Sequence, residues 1–330
     1  KDACAGSNER QLLWKRILTG VAVAVPLLFI FGLMFYQADE VFAQWVRNLH
    51  IEFVDLWRIF RTAAVTLLLG SFLYSVLTED YTLREKAPKV AKKEDTVIAS
   101  VVLGLINVLF AVFVFIQFRY LFGATDYAFA NNLTYAQYAR KGFFELMTVM
   151  GLTGLVLLTT YRSFVAHARV WLVTIFQLLM IAQVGVIGVS ALMRLNAYQE
   201  AFGFTVLRLY SEWFMYFMLF LFAFLAGVIL YRLHFRLFFH TAMALGLIVL
   251  TGVVYQNVDY IIAKKNVDRF VNENKKIDVY YLDRLSIDTV PALRPLFEDK
   301  HFDRLEETQK AALRMIVDKT KLEIEGRDSW

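Results

Sequence analysis

Residues 96–118 read TVIASVVLGLINVLFAVFVFIQF, twenty-three positions without a charge or a proline. About 20 such residues, rising 1.5 Å each as a helix, cross a hydrocarbon core of about 30 Å. Six further stretches meet the same requirement: Ile17–Tyr36, Thr62–Thr78, Gly142–Tyr161, Val170–Met193, Trp213–Tyr231 and Leu237–Val258. Only Glu145 and the titratable His240 interrupt them. A soluble fold buries one or two helices of this kind, but not seven on short links. The expected fold class is therefore all-α: a polytopic membrane bundle of about seven spans.

Composition agrees. Of 330 residues, 58% are hydrophobic, 16% aromatic and 20% charged; a soluble domain carries about 45–50% apolar and about 25% charged residues. Disordered, collagen-like and disulfide-rich classes are excluded. The single cysteine, Cys4, excludes an intrachain disulfide and a Cys-rich metal site. The chain opens on Lys1 rather than Met, so it is expected to begin inside a longer gene product.

Lys and Arg in the short loops set the orientation. With a cytoplasmic start, the inner segments hold 13 basic residues and the outer loops eight, most of the excess coming from Thr82–Asp95. Seven crossings then leave the tail outside. The net charge of +5 is not a nucleic-acid signal: residues 1–258 carry 21 basic and 15 acidic groups, against 14 and 15 in 259–330. The excess lies beside the membrane, and lipids are the expected partners of the bundle.

Two stretches are too polar to cross. In Ala38–Arg61, Val41, Phe42, Trp45, Val46, Leu49, Phe53, Trp57 and Phe60 recur at helical spacing between charges such as Asp39 and Glu40. That pattern predicts an amphipathic helix in the interface. Arg194–Glu212 is read the same way, with Leu195, Tyr198, Phe202, Leu207 and Leu209 toward the membrane. The organisation expected is a bundle over 1–258, with interfacial helices near 38–61 and 194–212, and a helical tail over 259–330. In the tail, Ile261, Ile262, Val267, Phe270 and Val271 form one stripe, and Tyr280, Tyr281, Leu282 and Leu285 a second begun by Asp278. Asp288 is expected to cap a short helix through Pro291, and Leu305, Ala312, Leu313, Ile316 and Val317 to face inward on a last one.

No residues assemble into recognisable catalytic chemistry. The five His are scattered, and no HExxH, Gly-rich phosphate loop, GxSxG elbow or CxxC occurs. No cofactor and no metal are expected. Intramembrane polar groups are the remaining place to look, because each needs a partner without water. Glu145 lies one turn after Lys141 and near Arg140, which suits either an interfacial anchor or a buried carboxylate that titrates or holds substrate. Asn107, Gln117, Gln177 and Gln183 are expected to form interhelical hydrogen bonds.

Several local patterns recur together: Tyr138–Leu146, Ala197–Arg208, Asn266–Arg269, Ile277–Ser286 and Pro291–Leu293. From Trp14 to about Phe297 the chain resembles a bacterial family of multi-pass membrane proteins known as a domain of unknown function, numbered 4173. Phe204-Thr205 stands where Leu-Thr is common. The resemblance implies a polytopic inner-membrane protein with helices upstream of Lys1, and it supplies no activity.

Within those patterns, Arg140, Lys141, Glu145, Arg208 and Glu212 form a candidate binding or structural charge cluster at the outer rim. Asp268, Arg269 and Asp283 of the tail stand ready to close over it. Two functional classes stay open. One is a scaffold, sensor or assembly subunit that engages a protein partner through its tail. The other is a transporter or lipid-handling protein with a site near Glu145 and Arg208.

Overall fold

A computed structural model describes residues 2–49, 93–121, 142–164 and 171–327. All regular structure among them is helical. The long elements are α1 (Asp2–Ala38), α2 (Glu40–Asn48), α3 (Lys93–Leu121), α4 (Phe143–Phe164), α5 (Trp171–Phe202), α6 (Val206–Leu230) and α7 (Phe235–Tyr255). After them come α8 (Val258–Asn272), α9 (Val279–Leu282), α10 (Val290–Leu293), α11 (Asp299–Phe302) and α12 (Glu307–Arg327), with 3-10 turns at Ile287–Thr289 and Arg294–Phe297. Six helices among the described residues, α1 and α3 to α7, are long and apolar enough to cross a membrane. The seventh expected span, Thr62–Thr78, lies outside the described residues.

The chain divides into two compact units. The first comprises residues 1–191 and 218–238, the second residues 192–217 and 239–330.

In the first unit, α1 and α3 run parallel through an aromatic seam. Phe35 stacks on Phe113 at 4.0 Å, and Phe31 and Phe35 each meet Phe110 edge-on at 5.0 Å. All four rings are fully buried. Phe42 of α2 closes the seam against Phe113 at 5.4 Å. Of the helix expected over Ala38–Arg61, α2 describes the part through Asn48, and residues 50–61 lie outside the described residues. Asp39, expected on its polar face, instead caps it: Oδ1 accepts from the Val41 and Phe42 amides at 2.9 and 3.0 Å. Its side chain is buried. Gly142, at φ +90°, sits so close to this corner that a Cβ would lie 1.8 Å from the Ala38 carbonyl oxygen.

The end of α6 carries a left-handed residue without being a glycine. Arg232, at φ 52°, follows the last helical turn. The Leu233 amide reaches back to the Val228 carbonyl at 2.9 Å and the Arg232 amide to Ile229 at 3.3 Å, a Schellman closure. The Tyr161 hydroxyl donates to the Val228 carbonyl at 3.1 Å and to that of Leu233. Because a left-handed conformation costs an L-residue about 1–2 kcal/mol, Arg232→Gly should raise stability by about 1 kcal/mol after glycine's own entropy cost. Thermal unfolding in detergent checks this; a lowered midpoint would show that the Arg232 side chain contributes more than its backbone costs.

The second unit packs a small core of its own. Val267, Phe270, Ile277, Val279, Leu282, Leu293, Leu296, Leu305, Leu313 and Ile316 are buried together. Val267, Phe270 and Val271 of α8 join this core as expected, with Ile261 and Ile262 in a neighbouring cluster. Ala312, Leu313 and Ile316 of α12 face inward, Leu305 does so just before α12 begins, and Asp278 caps α9, accepting from the Tyr281 amide at 3.0 Å. Three readings need correction. Asp288 caps nothing; Ser286 and Thr289 occupy the cap positions of the turn and of α10, and Asp288 only accepts from the Ser286 hydroxyl. Tyr280 is exposed rather than part of the stripe. Arg194–Glu212 is not a separate helix. Its first nine residues continue α5 to Phe202, the chain turns at Gly203–Thr205, and α6 begins. Leu195 and Leu209, expected toward lipid, are buried, because the turn folds them against protein.

Candidate functional site

The densest polar assembly in the second unit surrounds the corner between α5 and α6. Gly203, at φ +83°, makes the turn. A three-residue turn between antiparallel spans leaves main-chain groups unpaired, and side chains from α8 and α9 take them up. The Asn266 amide bonds both faces of one residue: Oδ1 accepts from the Phe204 amide at 2.8 Å, and Nδ2 donates to the Phe204 carbonyl at 2.9 Å. The Tyr281 hydroxyl accepts from the Val206 amide at 2.9 Å. Arg269 donates to the Glu200 carbonyl, and Arg208 to the Gly203 carbonyl at 2.6 Å. A Cβ on Gly203 would stand 2.6 Å from Asn266 Oδ1 and 3.0 Å from an Arg269 amino nitrogen.

Charge at the corner is unbalanced. Arg208 lies over the Tyr198 ring at 4.0 Å, and Lys265 over the Phe204 ring at 4.6 Å. Arg269 is 6% exposed, and its Nε has no hydrogen-bond partner among the described residues. Burial lowers the Arg269 pKa, with Arg208 adding like-charge repulsion while Glu273 and Glu200 oppose the shift. Glu212 accepts instead from the Gln199 amide at 3.0 Å.

The expected cluster is thus only partly described. Arg208, Glu212 and Arg269 all belong to the corner of the second unit, whereas Asp268 and Asp283 are exposed. Glu145 is half-buried in the first turn of α4. Arg140 and Lys141 lie outside the described residues. Among the described residues no group of His, Cys, Asp and Glu is arranged to hold a metal. Gln199, Gly203, Asn266 and Tyr281, which do much of the fastening, were not among the candidates. All four sit inside the sequence patterns quoted above, and the glycine at a span boundary was the available signal.

A second polar assembly lies inside the first unit. The expected interhelical bonds of α3, α4 and α5 are all present. Asn107 Nδ2 donates to Leu103 and Phe176 carbonyls at 2.8 and 3.0 Å. Gln183 donates to the Asn107 carbonyl at 3.1 Å, and Gln177 to Thr160 Oγ1 at 3.1 Å. Ser190 donates to Gln117 Oε1 at 2.6 Å, and Gln117 in turn to Asp39 Oδ2 at 3.3 Å. Asn107 Oδ1 and Gln183 Oε1 are buried without a partner among the described residues. Asp39 is the buried carboxylate that the sequence hid, since it reads as the polar side of an amphipathic helix.

A family model described as Domain of unknown function (DUF4153) matches residues 3–296, nearly the whole chain. The number 4173 expected from the sequence patterns is thereby corrected, while the expected family of unknown function is supported. No curated protein and no solved structure matches the chain.

Proposed function

The chain belongs to the DUF4153 family, and from that premise we propose a non-enzymatic scaffold, sensor or assembly subunit of a bacterial inner membrane. Its outer helical tail engages a protein partner. One observation carries the reading: the polar groups of the α5–α6 corner are spent on main-chain atoms. Asn266 and Arg269 of α8 and Tyr281 of α9 bond main-chain atoms of Phe204, Glu200 and Val206, and Arg208 of α6 bonds the Gly203 carbonyl. A module fixed in this way suits presentation of a surface. Among the described residues of the tail, Tyr280, Phe297 and Met315 are the large exposed apolar ones, at 54%, 42% and 68% exposure. Photo-crosslinking residues at these three positions of the full chain, in its own cells, are expected to give a reproducible protein adduct from at least one. Lipid adducts alone, or none, at all three would overturn the reading.

The orientation follows from the loop charges. A cysteine placed at the exposed Ser286, in a Cys4-less background, should react with an impermeant thiol reagent in intact spheroplasts. Reaction only after permeabilisation would place the tail in the cytoplasm.

The alternative, a transporter or lipid-handling protein with a site near Glu145 and Arg208, draws its support from the other polar assembly. Unpartnered oxygens on Asn107 and Gln183 inside a membrane bundle are costly unless a water or a transported solute meets them. Combined Asn107→Leu and Gln183→Leu separates the two. A scaffold keeps its cellular role in this variant, and a transporter loses it while still inserting.

A further inference from the structure

We infer that Glu298, His301 and Arg304 form a proton-operated latch on the end of α8. His301 is 6% exposed, and its ring stands between a carboxylate and a guanidinium. Nδ1 meets Arg304 Nη1 at 3.5 Å, and Nε2 meets Glu298 Oε2 at 3.8 Å. A guanidinium only donates, so Nδ1 is the acceptor there, and the proton of the neutral ring sits on Nε2, facing Glu298. The same guanidinium ties down α8. Its Nη2 donates to the Phe270 carbonyl at 2.9 Å and to Asn274 Oδ1, and it covers the Phe270 ring at 4.3 Å. Asn274, at φ 58°, is the left-handed residue that follows the end of α8. Arg304 therefore joins one titratable ring to one helix end.

A second proton on His301 goes to Nδ1. It removes the acceptor that Arg304 uses and sets two cations against each other, while the proton on Nε2 keeps its carboxylate. Arg304 then turns outward, and the Phe270 carbonyl and Asn274 lose their donor. Among the described residues no other charged side chain bonds or pairs with the ring. At the end of α8, Glu273, Lys275 and Lys276 are exposed. On α12, Lys310 is paired with Glu307 at 2.8 Å, and Arg314 lies over the Phe302 ring. Asp299, Lys300 and Asp303, beside His301 in sequence, are exposed. The latch does not rest on the scaffold reading, since it is a property of the tail's own fold. The outer orientation proposed above gives it a medium of changing acidity to read.

The test is hydrogen exchange of the full chain in detergent. It follows the Glu273 and Lys275 amides, both bonded to the Arg269 carbonyl, and compares their protection at about pH 7.5 and about pH 5.5. Acid is expected to lower that protection about fivefold, the effect of losing one hydrogen bond. The Leu313 and Ile316 amides of the α12 core should be unchanged. His301→Gln offers Arg304 an acceptor that does not titrate, and should keep full protection at both pH values. Arg304→Lys cannot hold the ring, the carbonyl and Asn274 together, so it should show the lowered protection at both. It carries the test if His301→Gln fails to fold. An acid response that persists in either variant, or no response in the parent, would overturn the inference. So would a response spread equally over the α12 core.

Discussion

Gly142→Ala should destabilise the first unit by about 3–5 kcal/mol, enough to prevent recovery of folded protein from many membrane preparations. Two costs combine. A left-handed conformation penalises any L-residue by about 1–2 kcal/mol, and overpacking a tight contact adds about 1–3 kcal/mol. Here the contact is extreme, because the Cβ would fall 1.8 Å from Ala38 O and 2.5 Å from its carbonyl carbon. Backbone at a helix end has little room to retreat, since Asp39 next to it is tied to the Val41 and Phe42 amides and to Gln117. The measurement is the yield and unfolding midpoint of the variant beside Gly151→Ala, whose Cβ meets nothing within 4 Å. Equal behaviour of the two would refute the close approach of α4 to the α1–α2 corner.

Gly203→Ala should cost about 2–4 kcal/mol in the second unit. The left-handed penalty is the same. The new methyl group also displaces Asn266, which leaves the Phe204 amide and carbonyl without partners at about 1–3 kcal/mol for a buried group. The core formed by α8 to α12 does not include Gly203, so the tail should keep its helices while the corner opens. Limited proteolysis is expected to cut near Phe204 in the variant and not in the parent. Global unfolding with no local cleavage would mean that the corner and the tail form one cooperative body.

Much of the fold was legible because a membrane span announces itself by length. Thr96–Phe118 was readable to the residue and α4 and α7 to within about three positions, whereas α1 and α6 begin seven or more residues before the expected starts and α5 runs nine past its expected end. Their polar residues were legible too, since an amide in hydrocarbon has few choices but a neighbouring helix. Turns were harder. Arg194–Phe202 has the charge pattern of an interfacial helix, yet it prolongs α5, because Leu195 finds protein to bury against and helix continues until Gly203 permits a turn. Charges misled for a related reason. Asp39 and Arg269 read as surface groups in one dimension, but each lies near a helix end whose main-chain groups needed a partner. Their number in the sequence was visible, and the direction in which each side chain turned was not.

The seam between α3 and α5 bears on how the protein is made. Asn107 and Gln117 emerge long before the groups that satisfy them: the bonds to Phe176, Gln183 and Ser190 span 69, 76 and 73 residues. At about 5–20 residues per second of synthesis, α3 waits roughly 4–15 s for α5. During that interval its hold on the nascent bundle is the aromatic contact with α1, whose Phe31 and Phe35 have already been synthesised. Weakening those rings should therefore show first as failed insertion during translation, and only later as a less stable finished protein.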